Sequence, residues 1–527
     1  MSQELDYLSR RFTAGRLSRR EFLGRAAALG LSATFANSLI AGAAMAQTPK
    51  RGGILKAGLS GGAATDTLDP AKALEAISFF DKCWGEYLVA LTADGELENR
   101  LAEEIGSSKD AKVWTFKIRQ GVEFHNGKTV TAEDVVATLE RHSDKESKSG
   151  AQGILAGIES LKTDGHDVVV TLKQPNAELP YLMQDYHLVI QPNGGKDNPA
   201  EGISAGPYKV AVNQPGVRHG GERFANFWQS DKMGFADQVE VIIINDPTAR
   251  VSALQAGQVH MISSVDPKVV DLIKRVPNLK VETASGSGHY VFNMFCDTAP
   301  FDNQDLRMAL KLAVDRQELV DKILRGYGTV GNDFPTSASQ PLFPEGIEQR
   351  AFDPDKAKFH YQKSGHSGPI PLRVSEVGFP GAVDAAQLFQ QSAAKGGIAI
   401  EVKRVPGDGY WSEIWNKQPF CASNWGPRPT QGMMYSTTYR STAPWNDTHF
   451  FNERFDKLLI EALGELDKDK RKNLYREMAI IVRDEGGTII PMFYQSIDAI
   501  SDKVGGYVGR VGSLMNSYAL TQCWLEA

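Results

Sequence analysis

The 527 residues carry 58 Lys+Arg against 64 Asp+Glu, a net charge of −6, with 42% hydrophobic and 23% charged residues. At about 150 residues per domain the chain is too long for one hydrophobic core, and the composition excludes extended disorder, a coiled coil and a collagen-like repeat. A mildly acidic average supplies no concentrated basic face for nucleic acid, although a local patch can hide within it.

The charge is unevenly placed. Arg10, Arg11, Arg16, Arg19, Arg20 and Arg25 outweigh Glu4, Asp6 and Glu21 in the first 46 residues. Residues 26–40 are mostly apolar, short of the ~20 residues a spanning helix needs. Ala44-Met45-Ala46 follows as a small-x-small cleavage site. Residues 1–46 therefore read as a secretory signal, and Ser18-Arg19-Arg20-Glu21-Phe22-Leu23 resembles the twin-arginine type. The expected mature protein is soluble and periplasmic. Its four cysteines, Cys83, Cys296, Cys421 and Cys523, permit up to two disulfides in three pairings. Their wide scatter does not suit zinc.

In chain order, Ile54 to Leu59 is a short strand and Gly61 to Pro70 a polar loop. Trp114, Phe116 and Ile118 alternate with polar or smaller residues, the period of a strand, and Asn126-Gly127 marks a turn. Thr131 with Asp134 forms a capping box for the next helix. Val168, Val170 and Leu172 alternate again after the turn Thr163-Asp164-Gly165. Residues 239–244 are a β-branched run, stopped by Asp246-Pro247 and followed by a helix from Thr248 to Ala256. His289 to Phe295 is extended and aromatic. Asp302 is expected to cap a helix whose apolar positions run, with gaps, from Leu306 to Leu324. Residues 334–371 read as a Pro- and Gly-rich surface excursion. A βαβ-like unit follows: Leu372 to Val377, Ala382 to Lys395, and Ile398 to Val405. A charged helix from about Asp469 to Arg483 leads into a second extended stretch, Thr488 to Tyr494.

Catalytic signatures are weak. Gly58-Leu59-Ser60-Gly61-Gly62 fits the nucleophile-elbow pattern, but no helix follows it, so a flexible loop is the better reading. H-E-x-x-H, P-loop and dinucleotide-binding patterns do not occur. The prominent signal is aromatic: Trp84, Trp411, Trp415 and Trp425, with Tyr87, Tyr410, Tyr435 and Tyr439. Such side chains serve either core packing or a cleft with rigid platforms. Asn424-Trp425-Gly426-Pro427-Arg428 sets a guanidinium beside one platform, where it can meet a ligand carboxylate, stack on a ring, or pair with a neighbouring acid.

Several segments resemble the bacterial extracellular solute-binding proteins of family 5, which serve peptide, opine and nickel ABC importers. They are Trp114 to Gly127 with Thr131 to Val136, Ala205-Gly206-Pro207-Tyr208, Asn226-Phe227-Trp228, Ala253 to Val259, and Phe301 to Arg316. The resemblance implies an α/β, two-lobed periplasmic-binding-protein fold of type II, cluster C-like, with an extra subdomain in the first lobe. It implies a first lobe over 47–291, a second over 292–493, and a return to the first over 494–527. It further implies a monomeric binding protein without catalysis, cofactor or metal, which closes on a small solute and delivers it to an inner-membrane permease. The ligand residues expected on this basis are Trp84, Asn293, Trp425, Arg428, Tyr435 and Phe493. In the peptide-binding branches a Trp-x-x-Asp motif binds the ligand's ammonium; here the aspartate position is Arg428. That inversion favours a carboxylate-bearing, peptide-like or opine-like solute, unless a carboxylate such as Asp66 or Asp408 restores ammonium binding. A metal-chelate- or haem-binding relative, and an exported hydrolase, are the alternatives.

Overall fold

The computed structural model describes residues 48–526 apart from 94 and 511–513; the expected signal segment lies outside the described residues. The fold is two lobes joined through one 11-stranded mixed sheet. Its centre is a pair of long antiparallel strands, Leu279–Met294 and Thr488–Ser501. On one side of this pair lie Phe420–Trp425, Ile370–Val374 and Ile400–Arg404. On the other lie Met261–Ile262, Ile54–Leu59, Gln238–Ile243, Arg218–Arg223 and Tyr208–Gln214, and the eleventh strand, Gly328–Val330, pairs off this path with Thr488–Ser501. The two expected aromatic stretches are thus segments of strands roughly twice as long. Their polar outer portions, such as Lys280 to Ser285, hide the strand from a hydrophobicity reading.

Each lobe has its own apolar interior. In the first, Leu55, Ala57 and Leu59 of the opening strand pack against Phe80 and Trp84 of the helix Glu75–Trp84. A separate four-stranded antiparallel sheet, built from Ala102–Ser107, Val113–Ile118, Asp167–Leu172 and Ile158–Asp164, forms the extra subdomain. Trp114, Phe116 and Ile118 face its core with Val168, Val170 and Leu172, as the period-2 pattern requires. The helix Ala132–Ser143 covers that sheet. Thr131 accepts from the Asp134 amide while the Asp134 carboxylate accepts from the Thr131 amide, a reciprocal cap worth about 1 kcal/mol.

In the second lobe, Phe292, Leu306, Leu310, Leu372, Phe389 and Ile489 share one interior. The parallel strands Ile370–Val374 and Ile400–Arg404 are joined through Ala382–Lys395, the βαβ unit expected there. Several expectations shift. Asn303, not Asp302, caps the helix Gln304–Leu312, and that helix ends before a second one, Arg316–Lys322, capped by Asp315. The break explains the gaps in the apolar spacing. The stretch 334–371 contains the helix Pro354–Ser364 and begins against a buried ion cluster rather than on the surface. In that cluster Asp333 meets Arg316 at 2.7 Å and Arg350 at 2.9 Å, and its carboxylate also accepts from the Ile490 amide. The helices Gln431–Thr438 and Glu453–Gly464 have no counterpart in the expected elements. All four cysteines are unpaired.

Candidate functional site

The lobes face each other across a cleft of about 940 Å³, within the range of small-solute sites. In the helix Glu75–Trp84, residues Ser78, Phe79 and Lys82 form one face, because positions three and four apart are neighbours on a helix. That face lines the cleft. Asp185, Tyr186 and His187 extend this wall, and Arg510 and Tyr518 reach it from the far end of the chain. The opposite wall follows the same rule. Met433, Ser436 and Thr437 share a face of the helix Gln431–Thr438, flanked by Arg428 and Trp445. Ser287 lies where the long strands cross between the lobes.

Two basic side chains dominate the chemistry. The Lys82 ammonium lies 3.4 Å from the centre of the Tyr87 ring and 5.6 Å from that of Tyr518, and it donates to the Gln184 carbonyl at 3.1 Å. Burial pulls its pKa down to about 7; Asp185 opposes the shift and Arg510 adds to it. Arg428 stacks with its guanidinium carbon 5.9 Å from the Trp425 ring centre and donates through Nη1 to the Gly426 and Pro427 carbonyls at 3.2 Å each. Burial lowers its pKa as well. Among the described residues no carboxylate pairs with either group.

The two acids of the cleft wall are already engaged. Asp185 accepts from the amide of His187 and pairs with its Nδ1 at 2.6 Å. Glu178 is buried and accepts from the Thr430 hydroxyl at 2.5 Å, the Tyr475 hydroxyl at 2.5 Å and the Gly432 amide at 3.3 Å. All three donors belong to the second lobe, whereas Ala177 and Leu179 beside the carboxylate pack in the extra subdomain. The Ala177 amide crosses the same gap to the Leu463 carbonyl at 2.6 Å. A methyl group on Gly432 would stand 2.4 Å from the carboxylate, which is why this helical position is a glycine.

Of the six expected ligand residues, Arg428 lines the cleft. Trp84 is turned away from it: two residues beyond Lys82 on the same helix, it faces the core and donates to Asp81. Tyr435 likewise sits two residues beyond Met433 and is enclosed among Tyr439, Phe455 and Tyr475. Trp425, Asn293 and Phe493 form a layer beneath the wall. Trp425 packs with Val291, Met434, Ile490 and Phe493 and donates to the buried Asp447 at 3.2 Å. Asn293 accepts from the Thr488 hydroxyl and bonds to Asp447. Burial raises the Asp447 pKa to about 7 against the pull of its Trp415, Asn293 and Trp425 bonds. Asp66 and Asp408 do not line the cleft; Asp66 accepts from the Ala63 amide in its own loop. The tryptophan that reaches the cleft among the described residues is Trp445, 48% exposed, its ring centre 6.3 Å from Trp415 in an edge-on contact and 6.1 Å from Trp425 in a tilted one.

This two-lobed geometry agrees with comparisons to known proteins. Residues 96–447 match the family model described as bacterial extracellular solute-binding proteins, family 5 middle. The glutathione-binding protein GsiB of Salmonella typhi is 25% identical over 478 residues, covering 84% of this chain and 89% of that protein. Heme-binding protein A of Haemophilus influenzae is 26% identical over 469 residues, covering 78% and 82%. The periplasmic binding protein DppA of Helicobacter pylori, solved with the peptide STSA, superimposes with a TM-score of 0.73 at 21% identity, covering 91% of this chain and 99% of that one. The fold is the two-lobed α/β periplasmic-binding fold with an extra subdomain, and the family to which it belongs binds solutes without transforming them. The chain is a member of family 5 of the bacterial extracellular solute-binding proteins.

Proposed function

We propose that this protein captures a carboxylate-bearing, peptide-like or opine-like solute in the periplasm, as a monomer released from its signal segment, and hands it to an inner-membrane ABC permease. Arg428 is the anion contact of the second lobe. The supporting observation is its guanidinium in the cleft wall, stacked near Trp425 and without a carboxylate partner among the described residues. A half-buried cation in this position repels a ligand ammonium and rewards a ligand carboxylate. The relationship to a glutathione-binding protein supports a peptide-like solute carrying carboxylates. Contacts to both walls exist only in the closed form, so the solute itself drives closure.

Native mass spectrometry of gently purified protein, then denaturing analysis of whatever co-purifies, identifies the solute class. Calorimetric titration with Arg428→Gln then tests the contact. Losing a buried charge partner costs about 2–5 kcal/mol, so affinity falls by well over tenfold; an unchanged affinity refutes the assignment. A haem or metal chelate is the second reading, favoured by the relationship to heme-binding protein A. A Soret band or stoichiometric metal in the purified protein would establish it instead.

A further inference from the structure

We propose that the solute carries an anionic group at each of two ends, one meeting Arg428 of the second lobe and the other meeting Lys82 of the first. This rests on the carboxylate reading of Arg428 and extends it to the opposite wall. Lys82 and Arg428 are the mirrored elements of the cleft. Lys82 is buried and Arg428 half-buried, each lies over an aromatic ring, and neither forms an ion pair with a carboxylate among the described residues. An aromatic face holds a cation without neutralising it, so both charges stay available to a ligand.

Neither wall acid forms an ion pair with them, although Asp185 is near enough to Lys82 to favour its charged form. Glu178 is occupied by three donors from the second lobe, and Asp185 by His187. Arg510 lies 4.9 Å from the Tyr518 ring that also flanks Lys82. Closing the lobes brings these like charges into one water-poor space, which is unfavourable until a solute supplies anions to both. A cleft of about 940 Å³ exceeds one carboxylate or phosphate and accommodates a solute of dipeptide size or larger with separated ends.

Four probes on one backbone separate the possibilities: Ala-Ala, N-acetyl-Ala-Ala, N-succinyl-Ala-Ala, and N-succinyl-Ala-Ala amide. They carry, respectively, a zwitterion, one anion at the C-terminal end, an anion at each end, and one anion at the N-terminal end. Binding is measured by calorimetry on the full chain, with thermal melting as the control for folding. The doubly anionic probe is expected to bind tighter than either singly anionic one by about tenfold or more, and Ala-Ala weakest. Lys82→Met keeps the aliphatic stem on the Tyr87 ring and should bring the doubly anionic probe down to the level of one singly anionic probe. Arg428→Gln should bring it down to the level of the other, and Lys82→Arg should retain the preference. Equal affinity of the wild type for N-acetyl- and N-succinyl-Ala-Ala overturns the two-ended solute while leaving the Arg428 contact standing. Carboxylate binding that ignores Arg428→Gln overturns the underlying reading, and no binding of any probe overturns both.

Discussion

Glu178 provides the sharpest test of how closure is stabilised. Its carboxylate accepts three hydrogen bonds from Thr430, Gly432 and Tyr475 across the gap between lobes. In an opened form these donors withdraw and the carboxylate is hydrated, so the interaction acts on the closed state alone. Hydrogen bonds to an ionised group contribute about 1.5–3 kcal/mol each, and neutral ones about 0.5–1.5 kcal/mol. Glu178→Gln keeps one acceptor oxygen but turns an amide NH₂ toward a hydroxyl or amide donor. The net loss is about 2–4 kcal/mol, which at 1.4 kcal/mol per decade shifts the closed-to-open ratio on the order of a hundredfold. Because Glu178 also borders the cleft, Tyr475→Phe serves as the companion. It removes one donor from a side chain that does not line the cleft, and should weaken closure by about tenfold. Small-angle scattering with and without solute, alongside calorimetric affinity, reads both effects. If both variants close as fully as the wild type and bind with unchanged affinity, the carboxylate does not hold the lobes together.

Three further outcomes follow from the buried charges. Asp333→Asn leaves Arg316 and Arg350 buried without their counter-charge and should lower thermal stability by about 3–5 kcal/mol; a shift below 1 kcal/mol would mean that water already neutralises the cluster. Asp447 has a folded pKa of about 7, raised by burial, so its contribution is complete below the unfolded value near 4 and is lost as pH rises through 7. Asp447→Asn should therefore raise the melting temperature at pH 8 and change it little at pH 4, and an equal shift at both would exclude titration as the cause. Lys82, facing Asp185, Asp81, Glu86 and Arg510 with Tyr87 and Tyr518 against it, has its pKa depressed to about 7. An anion beside it restores the proton, so binding at pH 8 should take up close to ~1 proton per solute, fewer at pH 6. Identical binding enthalpies in buffers of different ionisation heat would refute this.

How much of the site was legible depended on whether its signal was local. Arg428 stood out because its platform, Trp425, is three residues away. Lys82 did not: in sequence it is an ordinary basic residue in the last turn of an amphipathic helix, and the Tyr518 ring that flanks it is supplied by the far end of the chain. Trp84 and Tyr435 drew attention by size, yet lie roughly 200° around their helices from the cleft-lining Lys82 and Met433. Residue type suggested a platform, and helical phase sent it to the core. Strand patterns with one buried face, such as Val113–Ile118, were read correctly. The long strand Leu279–Met294 was only half visible because the alternation of its first part, Leu279 to Glu282, is short and gives way to the small and polar residues Thr283 to Gly288.

The ladder between the two long strands is interrupted between Ser285 and His289, across Gly286-Ser287-Gly288. Ser287 at that interruption is itself part of the cleft wall. Any swing of one lobe must pass through these strands, and the torsions with the least resistance lie at this glycine-flanked serine. The pivot and the cargo hold therefore share a residue, so a solute touching Ser287 presses directly on the axle about which the jaws turn.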